Sequence, residues 1–163
     1  MLRFFLLIAS IVAAAQGFSA GAPPAVCEDM TPKHHVDPQA GPSPFKISID
    51  KSTISPGDKV EITLEALDHA TFKGFLVEGR QGNDIIGSFS VDPNDKEAQT
   101  IDCPKGEKNA VTHKNSEEKS KKILTWEAPA DFSGIVVFKA TFVKDGGTFW
   151  VGQTSSNLRV VKH

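Results

Sequence analysis

The sequence predicts an all-β protein, an antiparallel sandwich of about seven to nine strands. Apolar residues alternate at period two in one short segment after another, no stretch of a dozen residues repeats them at three and four, and Gly, Pro, Asn and Asp clusters fall between the segments. Nothing repeats internally, and the composition is that of one domain.

The elements follow in chain order. Residues 1–17 read as a cleaved signal peptide: Arg3 gives a basic start, Phe4 to Ala15 is apolar apart from Ser10, and Ala15 and Gly17 supply the small residues that a signal peptidase reads. Cleavage is expected after Gly17, with Ala20 as the alternative. The apolar run is too short for a membrane span, which needs roughly 20 residues. No later stretch is long and apolar enough, so the expectation is a secreted, extracellular protein. Removing the leader takes Arg3 away and leaves a net charge of about −3, which carries no general signature for nucleic acid. The remaining residues, 18–163, are one domain's worth, divided into an irregular proline-rich arm, 18–44, and a strand-bearing body, 45–163.

In the body, Phe45, Ile47 and Ile49 alternate with polar residues as a first strand. Ser55-Pro56-Gly57 turns the chain into a second, marked by Val60, Ile62 and Leu64. Phe72 to Arg80 has apolar residues on both sides, which predicts a strand covered on both faces. Ile85 to Val91 reads as one strand between two turns, and Ala98 to Cys103 as a short one near an edge. Pro104 to Lys122 is expected to be a long polar loop, interrupted only by Ala110 to His113. Ile123 to Trp126 is a strand that Pro129 ends, because proline has no N–H to donate to a ladder. The chain then re-enters with Val136, Phe138, Ala140 and Phe142 on one face, so Trp126, Phe138, Ala140 and Phe142 are the expected core. Asp145-Gly146-Gly147 has the composition of a tight hairpin into Thr148 to Gln153, and Leu158, Val160 and Val161 close the chain.

Cys27 and Cys103 enter an oxidising compartment together and allow a single intramolecular pairing. The other reading is two buried thiols. A disulfide between them would close a loop worth about 3–5 kcal/mol in the chain-entropy picture.

No catalytic constellation stands out: there is no G-x-S-x-G elbow, no H-E-x-x-H and no phosphate-binding glycine loop. His34, His35, His69, His113 and His163 lack the spacing of a zinc site, so no metal or cofactor is expected and the protein is read as a non-enzyme. His34 and His35 are read instead as polar contacts in the arm, and His113 as a residue fixing the long loop. Trp126 is assigned to the core rather than to an exposed glycan platform, whereas Trp150, beside Phe149 at a hairpin, fits either. There is no Asn-x-Ser/Thr site for N-glycosylation.

Local patterns in a fixed order carry a resemblance. They are Gly21-Ala22-Pro23 before Cys27, Pro32 followed by His34 and His35, Ser43-Pro44-Phe45, Pro56-Gly57, Phe72 to Val77 with Arg80, Cys103, Ala110 to His113, Trp126 to Pro129, and Gly134 to Val143. Spanning almost the whole mature chain, they make it similar to the reeler domain, an extracellular module. A lone reeler domain behind a signal peptide is most similar to the small secreted insect defence proteins of the noduler-like group. Gly79, where alanine is expected, and Phe45, where tyrosine is common, depart from the pattern. The resemblance implies an immunoglobulin-like sandwich, a disulfide from arm to body, secretion into body fluid during an immune response, and a role in innate immunity through binding to microbial surfaces and blood cells, with direct antimicrobial action as a further expectation. The alternative is an extracellular matrix or cell-surface adhesion module without an immune role.

The expected ligands are microbial polyanions, lipopolysaccharide and lipoteichoic acid. From Lys105 to Lys122 the chain carries Lys105, Lys108, Lys114, Lys119, Lys121 and Lys122 against Glu107, Glu117 and Glu118, a local charge of about +3 on a background of about −6. Lysines can meet phosphate and carboxylate arrays as mobile point charges without a shaped pocket. Lys119, Lys121 and Lys122 are expected to form a fixed array because a strand begins at Ile123. If the segment is not the site, the arm around Lys33, His34 and His35 or the tip at Phe149 and Trp150 is the next choice.

Overall fold

The computed structural model describes residues 18–162, so the expected leader, 1–17, lies outside the described residues. Among the described residues there are eleven strands: β1 (Phe45–Ile49), β2 (Thr53–Ile54), β3 (Lys59–Ala66), β4 (Gly74–Gln81), β5 (Asp84–Ile85), β6 (Ser88–Ser90), β7 (Ala98–Ile101), β8 (Ala110–His113), β9 (Lys121–Glu127), β10 (Gly134–Asp145) and β11 (Thr148–Val160). They form two sheets, one ordered β1-β3-β9-β6 and the other β2-β11-β10-β4-β8-β7, with β5 added to β4. The sandwich is therefore all-β, as the alternation requires.

Four details differ from the sequence reading. There are more strands, because β2 and β5 are two-residue pieces too short to show a period. One pairing is parallel, β2 on β11, where the chain crosses from one sheet to the other. The two segments expected at the end of the chain are one long strand, β11, kept continuous past a bulge at Gly152, whose φ is +64°. The expected strand Ile85 to Val91 is split, β5 lying in one sheet and β6 in the other. Gly87 makes that switch with φ +72°, at a point where a Cβ would overlap the Trp126 ring and the Glu127 carbonyl.

Between the sheets, Trp126, Phe138, Ala140 and Phe142 are fully buried. Trp126 meets the Phe138 ring edge-on at 5.2 Å, and its indole N–H donates to the Ile86 carbonyl at 2.9 Å. At the other end of the core, Phe45, Phe72 and Trp150 gather around Phe142 and one another.

The arm is the third layer. A short 3-10 turn at Pro24–Val26 lays Val26, Cys27 and Met30 against Leu76, Cys103 and Ala110 on the outer side of the larger sheet. That cover explains why β4 is buried along nearly its whole length: Phe75 and Val77 enter the sandwich, and Leu76 enters the layer beneath the arm. Cys27 and Cys103 are joined by a disulfide, with 5.8 Å between their Cα atoms. Further on, Gln39 N–H donates to the Phe149 carbonyl and Trp150 donates to the Gly41 carbonyl, so the arm wraps the β10–β11 hairpin before entering β1.

Replacing Trp126 by Ala is expected to destabilise the protein by about 3–5 kcal/mol in denaturant unfolding, as large aromatic deletions in cores do. A change within about 0.5 kcal/mol is the size seen at surface positions and contradicts the core assignment.

Candidate functional site

The lysine-rich segment is not one loop. Ala110–His113 forms β8, buried on both faces between β4 and β7. It divides the cations into a turn carrying Lys105 and Lys108, a second connection, 114–120, carrying Lys114 and Lys119, and the start of β9 with Lys121 and Lys122. In the first turn both lysines adopt positive φ, +70° and +49°, and the Lys108 N–H donates to Asp102. Their side chains face solvent. Asn109 secures the base of this turn, accepting from the Cys103 N–H at 2.7 Å.

Lys119 departs most from expectation. It is only 3% exposed, and its ammonium donates to the carbonyls of Glu117 (2.7 Å) and Asn115 (3.1 Å), to the Asn115 side-chain oxygen (3.0 Å) and to the Lys73 carbonyl (3.3 Å). Its backbone also bridges to Phe72. Burial pulls its pKa below the ordinary lysine value, only partly offset by Glu97 and Glu117. Lys119 is thus a clip inside the β8–β9 connection and offers no mobile charge to a ligand.

Lys122 is also committed. On β9 it shares parity with Leu124 and Trp126, so it points to the inner side of its sheet, opposite Leu64. At the rim of the sandwich it forms ion pairs with Asp95 (2.6 Å) and Glu97 (3.1 Å), with 11% of its side chain exposed. Burial alone would lower the Lys122 pKa, but the two carboxylates outweigh burial and raise it. Burial would likewise raise Asp95, yet Lys122 and the N–H groups of Glu97 and Ala98 hold it below the usual carboxylate range. The expected array of Lys119, Lys121 and Lys122 is therefore absent. Lys121 alone faces outward, beside Glu65 on β3 and, across it, Lys46 on β1.

Of the six lysines between Lys105 and Lys122, those left to solvent are Lys105, Lys108, Lys114 and Lys121. Lys108 and Lys114 are separated by the length of β8, about 13 Å at roughly 3.3 Å per residue, and Lys121 stands on β9 in the other sheet. The first spacing exceeds the screening length of about 8 Å at physiological ionic strength, so these lysines do not form one cationic patch.

The fallback sites fare differently. Phe149 is fully buried and Trp150 is 9% exposed, so the hairpin tip offers no aromatic platform, and Trp126 is in the core. In the arm, Lys33 is paired with Asp29 at 3.0 Å, and His34 stands edge-on to Phe149. His113 fastens the start of the arm. The Phe75 N–H donates to its Nδ1 at 3.1 Å, which leaves the proton on Nε2 to donate to the Phe18 carbonyl at 2.8 Å. Burial lowers the pKa of His113, partly countered by its contacts with the Phe75 and Phe18 carbonyls. Cys27, Cys103 and Glu78 converge closely, but both sulfurs are consumed by the disulfide and offer no thiolate to a metal.

Residues 25–163 match the family model of the reeler domain. The chain is 40% identical to "Putative defense protein Hdd11" of Hyphantria cunea, covering 96% of this chain and 97% of that protein. It is 42% identical to "Putative defense protein" of Bombyx mori, covering 88% and 85%. Among solved structures, the reelin-N domain of F-spondin superposes with a TM-score of 0.64 at 22% identity, over 78% of this chain and 93% of that one, a likeness of fold.

Replacing Lys122 by Ser leaves Asp95 and Glu97 without their partner and is expected to destabilise the protein by about 1–3 kcal/mol in chemical denaturation. Replacing the outward-facing Lys121 by Ser is expected to stay within about 0.5 kcal/mol. Equal effects at the two positions contradict this division.

Proposed function

The chain belongs to the reeler-domain family, and from that premise we propose that it is a secreted defence protein that binds anionic microbial surfaces. The observation that carries the reading is the near end-to-end match to moth proteins named for defence. The four solvent-facing lysines, Lys105, Lys108, Lys114 and Lys121, supply the contacts. Lys105, Lys108 and Lys114 stand on connections braced by Asn109 and by the buried Lys119 clip, and Lys121 on the first residue of β9, so the charges are held in place although each ammonium is mobile. Dispersed cations, Lys108 and Lys114 about 13 Å apart, suit a ligand that repeats its phosphates, because a second contact on the same surface becomes intramolecular. Lipopolysaccharide and lipoteichoic acid have this character, and an anionic blood-cell surface would be met in the same way. The reading assigns no catalytic step or cofactor, and direct antimicrobial action would follow from binding.

The test is binding to lipopolysaccharide and to whole bacteria across a salt series. The wild-type protein should weaken steeply as salt rises, and the variant with all four lysines changed to Ser should lose at least about tenfold at low salt while melting as the wild type does. Binding that is indifferent both to salt and to the four substitutions overturns the reading. A protein that binds matrix glycans but neither microbial ligand points to the adhesion alternative.

A further inference from the structure

An apolar cavity of about 180 Å³ lies between the arm and the larger sheet, bordered by Ser116 of the connection that carries Lys114. Val26 and Met30 of the arm form one wall, and Leu76 of β4 and Val143 of β10 form the other. The pocket opens to solvent on one side, and its volume compares with the roughly 150 Å³ of an enclosed apolar cavity that can hold a six-carbon ring. Two polar features interrupt the apolar lining. Lys73 lies exposed on the wall and makes no ion pair among the described residues. His34 also lines the cavity, and its Nδ1 is sealed from solvent without a hydrogen-bond partner. Asp145, the acidic residue on the wall, has its carboxylate engaged by the Gly147 N–H of its own turn.

A hydrocarbon slot with an unpaired cation at its margin is complementary to an amphiphile with an anionic head. We propose that this cavity binds the end of one acyl chain of a microbial anionic lipid, with Lys73 meeting its phosphate or carboxylate. The proposal rests on the microbial-surface reading and deepens it: the lysines grip the polyanionic head region, and the cavity takes a chain.

The experiment uses the secreted protein with three probes: straight-chain carboxylates from butanoate to decanoate below their micelle concentrations, intact lipopolysaccharide, and chemically deacylated lipopolysaccharide. The Met30 methyl resonance reports on the cavity. Affinity for the carboxylates should climb about fourfold for each methylene the cavity buries, with the Met30 signal shifting on saturation. Intact lipopolysaccharide should shift the same signal, and the deacylated form should bind more weakly and leave it unmoved. Filling the slot with Val143→Phe should reduce decanoate binding at least tenfold without altering binding of the deacylated form, and Lys73→Ser should weaken decanoate several-fold. A flat chain-length series, or a Met30 signal that ignores decanoate in the wild-type protein, overturns the proposal whether or not Val143→Phe folds. Equal binding of both forms of lipopolysaccharide with Met30 unmoved overturns the acyl-chain site and leaves the lysine surface standing. Decanoate binding with no binding of either form removes the microbial lipid as ligand and the surface reading with it.

Discussion

The structure depends on covering the outer face of β4. Its inward residues, Phe75 and Val77, are ordinary sandwich core, but the outward ones include Glu78, fully buried, and Arg80, 6% exposed. A carboxylate and a guanidinium taken from water are expensive unless each is paired and its remaining hydrogen-bonding capacity is used. Arg80 meets that condition by donating to Glu78 at 2.7 Å and to the backbone carbonyls of Cys27 and Glu28 in the arm. Burial pushes the Glu78 carboxyl upward in pKa, and Arg80 pulls it partly back. The pair is therefore tolerable only while the arm is in place. The disulfide keeps it there, with Cys103 Sγ 3.7 Å from Glu78.

This arrangement links the arm to the surfaces that would serve binding. Cys103 stands just before the turn that carries Lys105 and Lys108, and His113 at the far end of β8 holds the Phe18 carbonyl. Thr112 accepts from the Ala22 N–H, while Gln99 of β7 donates to the Ala20 carbonyl. Strands β7 and β8 are thus held from outside by the arm as well as by their ladder to β4. Lys105, Lys108 and Lys114 flank β8 in this outer layer, and the apolar cavity lies in its seam with the arm.

Much of the fold was legible because most strands have one dry and one wet face, and alternation at β1, β3, β9 and β10 exposes that difference directly. β8 was missed for the opposite reason: Ala110, Val111, Thr112 and His113 are all buried, so no alternation exists, and four residues among lysines and serines are too few to show a run. Lys122 could have been placed from parity, since Trp126 and Leu124 point inward and Lys122 stands two residues further back. Nothing local marks Lys119, because its partners, Lys73 apart, are carbonyls of its own connection, defined only once that connection has folded. The Gly87 switch was hidden inside an apparently continuous strand, although a glycine at such a position is the usual sign of a break. The cavity had no sequence signal, as its walls come from an arm without periodicity and the ends of two distant strands.

Hydrogen exchange on the protein with Cys27 and Cys103 both changed to Ser tests most directly whether the arm is a separately fastened cover on which the outer sheet relies. Protection should fall in residues 18–35, β7 and β8, while the amides of β3, β9 and the β10–β11 ladder remain close to wild type. Loss spread evenly over both sheets, or protection unchanged in β7 and β8, contradicts that account.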